Sequence, residues 1–359
     1  KIENVKKGFT HDCEETKISV EFHEQKRLIS ADINGLKIIN VYVPNGSSID
    51  SDKFIYKVKW LNHLTKYLDE KVARHLYENI NYNKAFDLKF IEGIEKINDR
   101  KKLPDFTVGI SIDDAYSSVY EKAWPLLREA KIPFTLFVST DVVDRQATGY
   151  MSWNQIRELK SAGVTIGSQT KSHKHLPLIP IEDVKQEIDK ANVRISREIG
   201  LRPDLFAYPY GEYNSSVRQL IKDRGFKAAF TQSSGALNNS SDKYSLPRFA
   251  LNERYGGIDR FRLVANSLPL PVDDVLPSDP LLVENPPAFG FTVDSSVGSI
   301  KQLACFSSNE GELRLERLGR RIEARFNSML PKGRSRVNCT LPGPNKRWRW
   351  FGIQFLVSN

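Results

Sequence analysis

Phe106-Thr-Val-Gly-Ile-Ser-Ile-Asp113-Asp114-Ala115-Tyr116 is the stretch on which the reading of this chain turns. A short β-branched, apolar run ends in two carboxylates before an amphipathic segment begins, so it reads as a strand that carries Asp113 and Asp114 to its C-terminal tip. Val119, Trp124, Leu126 and Leu127 then fall roughly on one helical face, and Ile132-Pro-Phe-Thr-Leu-Phe-Val138 is a second buried strand. The pattern predicts a β-α-β unit with its functional groups at the strand end, where α/β folds place their chemistry.

A third apolar strand, Val164-Thr-Ile-Gly-Ser168, runs into Gln169-Thr-Lys-Ser-His173-Lys-His175, which holds two of the six histidines in the chain. Imidazole nitrogen and carboxylate oxygen both suit zinc and similar divalent ions. An ion held by Asp114 and His173 would polarise a carbonyl and acidify water, leaving Asp113 free as a general base. Taken alone, an Asp-Asp pair is more often turn or capping chemistry, and Ser-His-Lys-His in a polar loop more often a solvated turn. Their place on consecutive strand ends brings the two readings to near parity.

These residues carry a resemblance to the polysaccharide deacetylase family, also called the NodB homology domain, over residues 105 to about 255. The family motif T-F-D-D-G is similar to Ser111-Ile-Asp-Asp-Ala115, which implies Asp113 as catalytic base and Asp114 as metal ligand. H-S/T-x-x-H is similar to Gln169-Thr-Lys-Ser-His173, with His173 as a metal ligand. The groove motif matches Phe206-Ala-Tyr-Pro-Tyr-Gly211, which implies Tyr208, Pro209 and Tyr210 as substrate-binding residues and Tyr210 as the main-chain oxyanion donor. Arg248, in Leu246-Pro-Arg-Phe249, fits the family's late strand, which implies a substrate-binding residue that would orient a carboxylate in the site; an exposed loop arginine is the alternative reading. Gln169 departs from the family, which has a histidine there; it would ligate through its amide oxygen, or His175 would replace it. The family's late general-acid histidine has no counterpart, since no histidine follows His175. Asp113 acting in both directions, water on the metal, Glu212 or Tyr213 would then protonate the leaving group.

The resemblance implies an irregular (β/α) barrel of NodB type and a divalent metal cofactor, zinc first, with cobalt, nickel and manganese as the other candidates. It implies a hydrolase that removes acetyl groups from an N- or O-acetylated glycan such as a chitooligosaccharide or peptidoglycan strand. The rival reading is a glycan-binding protein derived from a deacetylase.

Of the net charge of +9, nearly all lies in residues 301–359, which hold 12 Lys or Arg against 4 Glu. A basic face can bind nucleic acid, anionic glycan or phospholipid; a solvated charged surface is the plainer reading, and nucleic acid is not the expected partner. Four segments of this tail, Glu312–Glu316, Arg321–Phe326, Arg336–Thr340 and Arg347–Phe351, alternate with period two and read as antiparallel strands. They predict a small basic β-sandwich over 285–359, with the Pro- and Asp-rich loop 271–280 as its boundary and the deacetylase domain over 105–275. Within it Trp348 and Trp350 would grip sugar or serve as packing. The deacetylase branch resembled here carries a similar tail from Asn285.

Residues 1–70 read differently. Arg27–Ile33, an Asn34-Gly35 turn and Leu36–Tyr42 make a hairpin, followed by a Pro-Asn-Gly loop and a helix. The stretch Arg27–Gly46 resembles the middle of exodeoxyribonuclease III, with Tyr42 as that family's phosphate-facing tyrosine. That family's metal-binding and general-base residues have no counterpart here, so the resemblance implies an α+β fragment without cleavage chemistry, which other parts of the chain would have to cover. A nuclease-related fusion is the least favoured function. Residues 71–104 are expected to be a helical linker.

No run of about eighteen apolar residues exists, so no membrane span is expected. Cys13, Cys305 and Cys339 show no paired spacing, which predicts a reducing compartment. The cytoplasm is the default location, with the envelope as the alternative that a polysaccharide substrate argues for. The oligomeric state is not encoded in any of these features.

Overall fold

The computed structural model describes residues 107–238, 240–252 and 258–358, together with three strands near the N-terminus. Those strands, β1 (Ile2–Lys7), β2 (Leu28–Ile33) and β3 (Leu36–Val41), form an antiparallel sheet in sequence order. Ile33 pairs with Leu36 on either side of the Asn34-Gly35 loop. That loop, Tyr42, Cys13, the helix expected after residue 46 and the linker 71–104 lie outside the described residues.

The central unit is a parallel sheet in the order β4 (Ser111–Ile112), β5 (Thr135–Val138), β6 (Thr165–Ser168), β7 (Leu205–Ala207) and β8 (Ala228–Phe230). A further bridge joins Phe230 to Leu246. Among the described residues the sheet stays open, so the expected barrel is a curled half-barrel. Strand alternation sorts its side chains. Leu136, Val138 and Ile166 face one helix-covered core, and Phe206 and Ala229 another, whereas Phe137, Leu205, Ala207, Ala228 and Phe230 gather on the concave side. The first strand is shorter than its apolar run suggests. It is a terminal strand of this sheet, and Thr107 to Gly109 ahead of it are exposed, Val108 at 51%.

The covering helices are α1 (Trp124–Glu129), α2 (Thr140–Asp144), α3 (Trp153–Ser161), α4 (Ile181–Ile199) and α5 (Ser215–Asp223). Ser152 caps α3 in a capping box with Gln155, which satisfies two backbone donors at its N-terminus. The last helix, α6 (Ile258–Ala265), lies against β2 and β3.

Two antiparallel sheets follow. One orders β10 (Val272–Leu276), β11 (Phe289–Val293), β15 (Arg321–Arg325) and β14 (Arg314–Leu318); the other orders β13 (Gly311–Glu312), β12 (Ala304–Ser307), β16 (Gly333–Pro342), β17 (Trp348–Val357) and β9 (Leu268–Pro269). Phe289, Phe291 and Ile322 from the first pack on Val337, Cys339, Leu341 and Phe355 from the second. The sandwich begins earlier than the turn-rich composition of 271–280 suggests. β10 pairs with β11 there, because its backbone groups complete the first sheet.

Cys305 and Cys339 sit directly opposite each other on β12 and β16 and are joined by a disulfide. This corrects the expectation of reduced cysteines: the partners are 34 residues apart, and strand register, invisible in their spacing, brings them together. By the loop-closure relation, breaking a cross-link over this separation costs about 3 to 4 kcal/mol. Cys305→Ser is therefore expected to lower unfolding stability by that amount in urea titration, with dithiothreitol reproducing the shift in the wild type and leaving the variant unchanged.

Period two also explains how the sandwich docks. On β16 and β17, Val337, Cys339, Phe351, Ile353 and Phe355 face its interior, so Arg334, Arg336, Trp350, Gly352 and Gln354 face the parallel-sheet unit. Trp350 is buried against Phe249, with ring centroids 5.4 Å apart, and donates to Asn338 at 3.0 Å. At Gly352 a Cβ would lie 2.3 Å from the Ser234 carbonyl oxygen, so only glycine lets the two main chains meet. Trp350 is packing, not a sugar platform, while Trp348 is 40% exposed.

Candidate active site

Every motif residue of the parallel sheet lies just past the C-terminal end of a strand: Asp113 and Asp114 after β4, Gln169 to His175 after β6, and Tyr208 to Glu212 after β7. Arg248 follows the bridge at Leu246 and reaches back across the sheet. Its guanidinium donates to both Asp113 oxygens, at 2.7 and 2.8 Å, to Ser111 Oγ at 2.9 Å and to the Thr231 carbonyl at 3.0 Å. The rings of Phe137 and Phe230 lie beneath it. A bidentate fork on a half-buried carboxylate fixes its plane as well as its position. Arg248 thus holds Asp113 through both carboxylate oxygens.

Asp114 Oδ1 stands 3.6 Å from His173 Nε2. Ligands about 2.1 Å from a tetrahedral ion lie about 3.4 Å apart, so this pair fits two corners of a divalent site. Burial and the neighbouring Asp113 push the Asp114 carboxyl up, opposed by His173 and Arg248. Burial pushes the His173 imidazole down against the pull of Asp114, which favours the neutral ring that a metal requires.

The other two expected ligands are engaged elsewhere. Gln169 is 1% exposed, and its Oε1 accepts the Asp114 main-chain N–H at 3.3 Å, so it holds the loop that carries Asp114. His175 turns its Nδ1 to Glu212 Oε2 at 2.6 Å and stacks on Tyr210, centroids 4.1 Å apart. Among the described residues no three His, Cys, Asp or Glu side chains gather around one point. The strong donors are therefore Asp114 and His173, with Gln169 at their back and His175 on the Tyr210 ring.

Tyr208 corrects the groove reading. It is fully buried, its hydroxyl donates to the Tyr244 carbonyl at 2.8 Å, and its ring stacks on Tyr213. Strand alternation puts it on the same side as Phe206, toward the helices. Pro209 is likewise buried, and Tyr210 is the residue of this motif at the site.

Asp114, Thr170, His173 and Tyr210 all have φ between 56° and 68°, although none is glycine. Each such residue costs on the order of 1–3 kcal/mol, and such strain concentrates where surrounding structure enforces a functional geometry. For His173 the enforcing groups are visible. Thr170 Oγ1 accepts the His173 N–H at 3.1 Å, and Glu187 accepts from the N–H and hydroxyl of Ser172 at 2.7 and 2.6 Å. Glu187 went unmarked in the sequence reading, yet it left a trace: it is a carboxylate on the buried stripe of α4, beside Val184, Ile188 and Ala191. At Tyr210 the bonds that close the turn use the N–H groups of Gly211 and Glu212 and not its own. Gly211 permits that turn, because a Cβ would lie 2.4 Å from the Gln232 nitrogen.

Residues 100–229 match the family model described as polysaccharide deacetylase. The chain is 25% identical over 217 residues to the poly-beta-1,6-N-acetyl-D-glucosamine N-deacetylase of Staphylococcus aureus strain MSSA476, covering 56% of this chain and 74% of that protein. Among solved structures, IcaB from Ammonifex degensii is 26% identical at a TM-score of 0.45, covering 48% of this chain and 80% of its own. The Streptococcus pyogenes deacetylase PplD in complex with acetate is 20% identical at a TM-score of 0.46, covering 50% and 78% respectively. Residues 100–229 are thus similar to polysaccharide deacetylase domains, and the chain is similar to deacetylases over about half of its length. The match begins at residue 100 and gives no support to the exodeoxyribonuclease III resemblance of residues 1–70. Among the described residues no helix is long and apolar enough to cross a membrane.

Proposed function

We propose that this chain hydrolyses N-acetyl groups on a polymer or oligomer of N-acetylglucosamine. The observation that carries the reading is Asp113, pinned by Arg248 beside the Asp114–His173 pair at the end of the parallel sheet. Asp114 and His173 would hold a divalent ion, zinc first, with Gln169 fixing the loop behind them. When bound, such an ion supplies Lewis acidity to the amide carbonyl.

Asp113 takes a proton from the attacking water, and the Tyr210 N–H donates to the oxygen that becomes an oxyanion. The same Asp113 returns the proton to the departing amine. Glu212 does not serve as donor: it is 3% exposed and engaged by His175 and Arg334. Tyr213 is stacked beneath Tyr208. Without a dedicated acid the step is slower by roughly 10²–10⁴ than in an enzyme that has one.

Gln169 in place of an imidazole favours one second reading, a glycan-binding protein with a decayed site. The test is bound metal and acetate release measured together on the full chain, with zinc, cobalt, nickel or manganese and with chitooligosaccharides and poly-β-1,6-N-acetylglucosamine. Acetate release that follows metal loading supports the hydrolase. Retention on glycan without acetate release, undiminished in Asp114→Ala, supports the binding protein. The Cys305–Cys339 bond further supports a place of action where disulfides persist, such as the cell envelope, over the cytoplasmic default.

A further inference from the structure

The Tyr210 carbonyl accepts from two side chains that come from the sandwich. Gln354 Nε2 donates to it at 3.1 Å and Arg334 Nη1 at 3.4 Å. Gln354 is 4% exposed, and the direction of its amide is set by Arg336, whose Nε donates to Gln354 Oε1 at 3.1 Å. Arg334 also lies over the Tyr210 ring, 5.4 Å from its centroid, and stands 3.5 Å from Glu212 Oε1. All three side chains project from the docked face of β16 and β17, 124 to 144 residues further along the chain than Tyr210 for the two that touch it.

We infer that Gln354 and Arg334 are positioning residues for the hydrolysis, and that the sandwich completes the active site by clamping the Tyr210 turn. The inference rests on the deacetylase reading, in which the Tyr210 N–H receives the oxyanion. Tyr210 holds φ 59° and ψ 7°, a conformation that relaxes unless its neighbours enforce it. Within the turn, only the bonds of Gly211 and Glu212 oppose that relaxation. Two donors on the next carbonyl, one of them buried and itself oriented, supply the remainder. Fixing that peptide fixes the ψ of Tyr210; with the preceding residues held by the turn bonds to Tyr208 and Pro209, the residue keeps its left-handed conformation and its N–H keeps its direction. Such preorganised donors contribute in the transition state more than in substrate binding, so their loss lowers kcat and leaves KM near its wild-type value.

Gln354→Glu keeps the size of the side chain but sets a carboxylate against the carbonyl. In the full-length chain it is expected to speed hydrogen exchange in the 206–214 segment by about tenfold, as expected from losing one buried hydrogen bond. It is expected to lower kcat by about ten- to a hundredfold with KM within about twofold. Arg334, whose side chain is 38% exposed, gives the milder Arg334→Met, which keeps the test open if the buried substitution unfolds the chain. Unchanged exchange and kcat in both variants overturn the clamp. A parallel loss of kcat, KM and thermal midpoint overturns the positioning role in favour of a purely structural one. If the wild type releases no acetate while the variants still exchange faster, the deacetylase reading falls and the clamp on the turn stands.

Discussion

Asp113→Asn is expected to lower kcat for acetate release by about 10²–10⁴, the range for loss of a positioned general base, while bound metal stays at the wild-type level. The two readouts separate the adjacent acids. Asp113 spends both oxygens on Arg248, whereas Asp114 faces His173, so only the second is placed to hold an ion. Asparagine keeps the shape and one acceptor but turns an amide N–H₂ toward a guanidinium that can only donate. Arg248, with its side chain 14% exposed, loses one of its four hydrogen bonds, and a thermal midpoint a few degrees lower is expected with the fold retained. Metal-dependent acetate release at the wild-type rate from Asp113→Asn would remove Asp113 from the chemistry.

Gln169→His is expected to tighten zinc binding by at least about tenfold, read by competition with a chromogenic chelator. An amide oxygen is a weak zinc ligand, and here it already accepts the Asp114 N–H. An imidazole of similar volume adds a nitrogen donor beside Asp114 and His173. The gain is offset in part by the lost bond to Asp114, whose left-handed backbone that bond supports. Gln169→Ala separates the two effects, because it removes the support and adds no ligand. It should loosen the metal by about tenfold, the lower range for outer-shell partners. Equal affinity across all three chains would mean that residue 169 does not touch the metal site from either direction.

The residues that sit at strand ends were legible in the sequence because the switch from an apolar run to a polar loop marks each end directly. Asp113, Asp114 and His173 fall at such switches, and Arg248, offered there to orient a carboxylate or to bind substrate, donates to both oxygens of Asp113. Tyr208 was misjudged although the cue was present: it lies in phase with Phe206, and so points with it toward the helices. The sequence marked Gln169 as a departure but not its use, since a hydrogen bond to the backbone of Asp114, 55 residues away, has no local signature. The disulfide and the clamp were out of reach for one shared reason. Each depends on which β-strands pair and at what register, and period two specifies a face without naming its partner. Trp350 shows this most simply: its face was readable and what covers that face was not.

The contact of Gly352 with Ser234 sets a condition on inheritance. A sandwich of this kind could not be exchanged among deacetylases as a free-standing sugar-binding cassette, because any side chain at that position would lift it from the surface that Gln354 and Arg334 must reach. Recombination between the two coding regions would preserve both folds and still separate the turn from its clamp. On the deacetylase reading the halves would have to descend together, and a substitution at Gly352 is expected to show first as a lower kcat.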